Sequence, residues 1–152
     1  MNKYIYFLQV VDKWCKEYNI QMTKLIAMRL SFFIASANKN IIHWFNFKAY
    51  PTGFCDLELL DIFMFTNWKK PLRLKHLDLL EKELVDESLI KIKEINPILP
   101  TYHPIDLCEL QRKWYCYQNQ REFYSNLPNP SNKDLEISSD EIMNTFDKYY
   151  TL

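Results

Sequence analysis

Tyr4, Phe7, Leu8, Val11, Trp14, Cys15 and Tyr18 recur at steps of three and four, while Lys3, Asp12, Lys13, Lys16 and Glu17 fall between them. That rhythm predicts an amphipathic helix over about residues 2–18, ended by Asn19. A second helix is expected from about Met22 to Ala37, where apolar residues occupy nearly every side and Lys24 and Arg29 are the only charges. A helix apolar all round belongs at the centre of a fold. Asn38-Lys39-Asn40 reads as a turn, and Ile41 to Tyr50 has the aromatic, β-branched and alternating character of a strand, with Phe45, Phe47 and Ala49 set against Asn46 and Lys48. Pro51-Thr52-Gly53 closes that strand, with the glycine supplying a positive φ.

Asp56 is placed to cap a third helix running to about Thr66, with Leu57, Leu60 and Met64 on one face. A fourth is expected over roughly 73–85 with Leu77, Leu80 and Leu84 inward, and 87–95 is readable as a short helix or an extended piece. Pro97, Pro100 and Pro104 stiffen a loop, and Pro104 suits the first position of a long helix reaching about Ser125. Its apolar face is Leu107, Leu110, Trp114 and Tyr117. After the linker-like stretch 127–132, Ser138 and Glu141 form a capping-box pattern ahead of Ile142, Phe146 and Tyr149. The expectation is a mainly α fold: one domain over residues 1–152, five or six helices around a buried central helix, and a small β element near 41–50.

Composition narrows what such a domain can do. A chain of 152 residues with 48% hydrophobic and 25% charged residues has the balance of a soluble globular domain. Lys+Arg and Asp+Glu are both 19, so no global field draws the chain to nucleic acid or anionic lipid. The charge is mildly uneven, the segment 131–152 carrying 2 basic and 5 acidic groups. Gly53 is the single glycine, which excludes the Gly-rich loops that cradle nucleotide phosphates. Charges interrupt every apolar stretch, so no membrane span is expected. Cys15, Cys55, Cys108 and Cys116 form no C-x-x-C pair and read as free thiols in a reducing cytoplasm.

No arrangement of reactive residues stands out. His43, His76 and His103 have no Ser or Cys in a recognisable nucleophile elbow, so no catalytic residue is assigned. Cys108 and Cys116 on one helix would lie about 12 Å apart, too far to share an ion, and no metal or cofactor is expected. The acids at Asp86-Glu87, Asp140-Glu141 and Glu58/Asp61 suit helix starts and solvated faces. Lys69, Lys70, Arg73 and Lys75, beside Trp68, form a basic cluster able to meet a phosphate backbone; this is the alternative reading, a nucleic-acid-binding or regulatory domain. The neutral total favours solvated lysines instead. Aromatic residues reach 16%, and Trp114-Tyr115-Cys116-Tyr117 cannot all face inward from one helix. Surplus rings at Trp68, Tyr102, Tyr115, Tyr117 and Tyr150 are therefore candidates for contact with a partner protein.

Three segments together resemble the SocA-like antitoxin domain, also called the Panacea domain and described as phage-associated. Met22 to Phe33, carrying Lys24 and Leu25, is similar to that family's early "K-L-x-K-L-L-Y" helix. Phe45 to Phe54 with Asp56 and Leu57, including Phe47, Ala49 and Gly53, resembles its "F-x-A-x-x-x-G-P-V" segment. Leu107 to Trp114 is similar to its "L-x-x-L-(S/T)-H-x-x-x-W" helix. Phe54 stands where the family usually has proline, and Gln111 or Arg112 where histidine is expected. The resemblance implies a cytoplasmic bacterial or phage protein that neutralises a small toxin encoded nearby by direct binding, without catalysis. In one branch of the family the antitoxin also delivers its toxin to a protease.

Overall fold

A computed structural model describes residues 2–73 and 78–150, with the side chains of 147–150 outside the description. Eight α-helices and one two-stranded antiparallel hairpin are present among the described residues. The helices are α1 (Asn2–Glu17), α2 (Lys24–Ser36), α3 (Lys39–Ile42), α4 (Leu57–Phe65), α5 (Leu79–Ile95), α6 (Pro104–Arg112), α7 (Tyr115–Ser125) and α8 (Ser139–Tyr150). Strands β1 (Lys48–Tyr50) and β2 (Gly53–Cys55) pair Lys48 with Cys55 and Tyr50 with Gly53. The fold is mainly α with a small β element, as the hydrophobic pattern predicts.

The helix expected to be central is central. Eleven of the thirteen α2 residues are buried, and α1, α4, α5, α6, α8 and β2 all pack on it. On one side its Phe32 ring stacks on Phe54 of the hairpin at 3.8 Å between centroids and meets Trp114 edge-on at 4.9 Å. Aromatic rings dominate this junction because large flat side chains fill the space between a helix and a narrow hairpin.

Four local expectations are corrected. The segment 41–47 is not a strand: Asn38 caps a short helix, its Oδ1 accepting from the Asn40 N–H at 2.9 Å, and strand geometry begins only at Lys48. The alternation from Phe45 to Ala49 nevertheless buries Phe45, Phe47 and Ala49. Helix α5 starts at Leu79 behind Asp78, whose carboxylate accepts from the Leu80 and Glu81 N–H groups, and it continues unbroken to Ile95. Its buried side is Val85, Ser88 and Ile92; Leu80 is 65% exposed, and Leu77 lies outside the described residues. The long helix from Pro104 is two helices. Lys113 ends α6, and Trp114 adopts an extended conformation (φ −68°, ψ 134°) that turns its ring into the core and starts α7. Neither proline nor glycine marks that break. Together with α3, it accounts for the larger number of helices.

The fourth correction concerns α4. Asp56 caps it as expected, accepting from the Leu59 N–H at 2.8 Å. An apolar face such as Leu57, Leu60 and Met64 ordinarily packs inward. Here Leu59 and Ile62 are the buried pair, while Leu57 and Met64 are exposed and Phe65 is 77% exposed.

Candidate functional site

The outward side of α4 borders a strongly apolar groove. The groove has a volume of about 390 Å³ and lies between the first turns of α2, the hairpin turn and α4. That size is within the range of about 300–1,000 Å³ typical of ligand sites. Thr23 starts α2, its hydroxyl accepting from the Ile26 N–H at 3.4 Å. The helical repeat then sets Lys24, Leu25, Met28 and Arg29 along one wall. Leu57 and Leu60 form the opposite wall, and Tyr50, Pro51, Thr52 and Cys55 complete it.

Arg29 ties the groove to the core. It is only 4% exposed. Its Nη1 donates to the Phe54 carbonyl and its Nη2 to Thr52 Oγ1 at 2.5 Å. Gln111, fully buried on α6, donates from Nε2 to the Arg29 carbonyl and accepts from the Phe54 N–H through Oε1, both at 2.9 Å. Two side chains thus do for the free edge of β2 what a third strand would do: both backbone groups of Phe54 are paired. Gly53 is required where these groups converge. Its φ is +131°, and a Cβ there would lie 2.7 Å from Gln111 Oε1 and 2.9 Å from Arg29 Nε. The positive φ expected at this residue is present, with a close approach added to it. The hairpin's other strand is held by Tyr117, whose hydroxyl donates to the Tyr50 carbonyl at 2.5 Å, and by Arg121, whose Nη1 donates to the Ala49 carbonyl at 3.2 Å.

The electrostatics of the groove are one-sided. No Asp or Glu lines it, and neither Arg29 nor Lys24 forms an ion pair among the described residues. Arg29 Nε is buried without a hydrogen-bond partner. The Cys55 thiol is pushed up to about 11 by burial, which outweighs the lowering influence of Arg29. The nearby Asp56 carboxyl is also raised by burial, opposed by the N–H groups of Asn46 and Leu59 that it accepts from.

The residues singled out from sequence scatter over the molecule. Lys24, Leu25 and Gly53 border or support the groove; Phe47, Ala49 and Trp114 are buried in the core. Of the rings expected at a contact surface, two are corrected. Trp68 is 5% exposed, stacks on Phe63 and donates from Nε1 to its carbonyl, and Tyr117 is equally buried against Phe54. Tyr102 is half-buried, its hydroxyl accepting from Asn96 Nδ2, and Tyr115 is 54% exposed on α7. The Tyr150 side chain lies outside the described residues. These rings therefore do not form one surface. In the basic cluster Lys69, Lys70 and Arg73 are exposed, Lys69 Nζ sitting 5.5 Å from the Trp68 ring centroid, and Lys75 lies outside the described residues.

The reactive residue types do not converge either. All four thiols are free and buried; burial raises Cys15 to about 12 and Cys116 to about 11, so neither is poised as a thiolate. His103 is the cap of α6, its Nδ1 accepting from the Ile105 N–H at 3.1 Å. His43 is exposed, and His76 lies outside the described residues. Among the described residues no group of three or more His, Cys, Asp or Glu is placed to hold a metal ion, and no helix is long and apolar enough to cross a membrane.

Sequence reasoning missed Arg29 and Gln111 as a linked pair. A usable signal existed for the first: an arginine inside an otherwise apolar helix must find buried acceptors. Gln111 drew notice only as a residue standing where the resembled helix has histidine; its pairing was hidden, since its partners are backbone atoms 57 and 82 positions away. No family model, curated protein or solved structure matches this chain.

Proposed function

We propose that this protein is a non-catalytic module that works in the cytoplasm by binding another protein, in the manner of an antitoxin that occupies its toxin. The observation that carries the reading is the apolar surface formed by the groove and the outward side of α4, where Leu57, Met64 and Phe65 are exposed on one short helix. Contiguous apolar surface bordered by charge is what protein contacts use, and keeping it in water without a partner is unfavourable. The resemblance of Met22–Phe33, Phe45–Phe54 and Leu107–Trp114 to the SocA-like domain supplies the antitoxin part of the proposal.

Co-expression with the small protein encoded next to it tests this reading. The expected result is a complex that survives purification, together with rescue of growth when the neighbour is toxic. A chain that neither binds nor protects against its neighbour removes the proposal.

A further inference from the structure

The groove has a chemical preference that its apolar walls alone would not impose. Two cations line it, no acid does, and one of the cations is a guanidinium more than nine-tenths buried. Arg29 rests on a backbone carbonyl and a threonine hydroxyl, both neutral, and its Nε lies against Gly53 and Gln111, so its charge meets no acid among the described residues. A guanidinium carries five N–H donors in a planar fork suited to a carboxylate. A buried charge that lacks an opposite charge is costly, and an incoming anion relieves that cost. Lys24, exposed one helical turn earlier, adds a second positive group on the same wall.

We infer that the groove receives an apolar side chain of the partner protein together with an acidic residue beside it in the partner's chain. The apolar group lies against Leu25, Met28, Leu57 and Leu60; the carboxylate meets the exposed Lys24, in the field of the buried Arg29 guanidinium. A protein segment is favoured over a small free acid because the apolar surface does not stop at the groove. It continues along α4 from Leu60 to Met64 one turn on, with Asp61 between Leu57 and Phe65, beyond the reach of a ligand that fills about 390 Å³. The inference rests on the protein-binding reading and specifies which surface and which partner chemistry serve it.

The test is selection of random linear peptides displayed on phage against the full chain, followed by fluorescence anisotropy with labelled peptides that emerge. The expected peptides pair Leu, Phe or Trp with a neighbouring Asp or Glu. Their affinity drops by about tenfold in Lys24→Glu, and by a similar factor when the peptide acid becomes its amide. Leu57→Asp weakens binding as well, whereas Lys70→Glu, remote from the groove, leaves it unchanged. Lys24 and Leu57 are exposed enough for both variants to keep the wild-type melting temperature, which is measured alongside. Enriched peptides without an acid, affinity unaltered by Lys24→Glu, or no enrichment over an unrelated protein would each overturn the inference. The two levels separate cleanly: if Lys24→Glu and Leu57→Asp still bind and neutralise the neighbouring protein, the groove assignment fails and the binding reading stands. A wild-type chain that forms no complex sinks the binding reading itself.

Discussion

Helices α2 and α4 are the two most apolar helices of the molecule, and they meet opposite fates. Helix α2 buries eleven of thirteen residues. Helix α4 buries Leu59 and Ile62 of nine and leaves Phe65 largely in water. Their composition does not explain this. Position does: α2 has neighbours on every side, whereas α4 is backed by α1 and α2 and leaves Met64 half exposed and Phe65 largely so. Hydrophobicity sets what burial would be worth, and topology decides whether it is available. An apolar helix with one unpartnered side is therefore the natural place to look for function in this chain.

Substitutions separate the two helices. The largest effect is expected inside α2, where Phe32→Ala removes a ring with no exposure that contacts Phe54 and Trp114. A loss of about 3–5 kcal/mol in urea unfolding is expected, and a loss near zero would mean that α2 is not the centre of the core. Next is Gly53→Ala at the hinge between the two regions. The added Cβ meets Gln111 and Arg29 at a positive φ, and a loss of about 2–3 kcal/mol is expected from the same measurement. Stability equal to wild type would show that the Arg29–Gln111 clasp is not formed in solution.

Alkaline pH gives a milder probe of the closed side. Burial raises Cys15 to about 12 and Cys116 to about 11, above the ordinary thiol value of 9.0. Between those values the folded chain holds protons that the unfolded chain releases, so stability is retained below pH 9 and falls as pH rises through 11–12. Melting temperature against pH, compared with a Cys15→Ala, Cys116→Ala double variant, isolates the thiol share; identical slopes in the two proteins would contradict the burial. The smallest effect belongs to the open side. Phe65→Ser is expected to change stability by no more than about 0.5 kcal/mol, because the ring gives up little burial. A change of several times that size would show that α4 is covered after all.

Much of the architecture was legible because its causes are local. The stripe from Tyr4 to Cys15, the caps at Asp56 and Ser138, and the turn at Gly53 each depend on residues a few positions apart, and each is present. The start of α6 at Pro104 belongs with them. The break at Trp114 was not legible, because the chain bends there to place one indole among Phe32, Phe33, Phe54 and Phe146, rings supplied by distant segments. Trp68 and Tyr117 misled for the same reason: a ring counted as surplus can be buried by a segment elsewhere in the fold, Trp68 by Phe63 and Tyr117 by Phe54.

By itself, then, the order of residues determined the helical class, the central place of α2, the hairpin turn and the supply of apolar side chains, since periodicity and capping act over a few residues. Tertiary structure alone decided which apolar side of α4 stays open and that Arg29 and Gln111 would meet across Gly53. It also left the groove beside them with positive charge and no acid. These outcomes turn on which surfaces remain uncovered once the chain has closed on itself, and that is a property of the whole fold rather than of any segment.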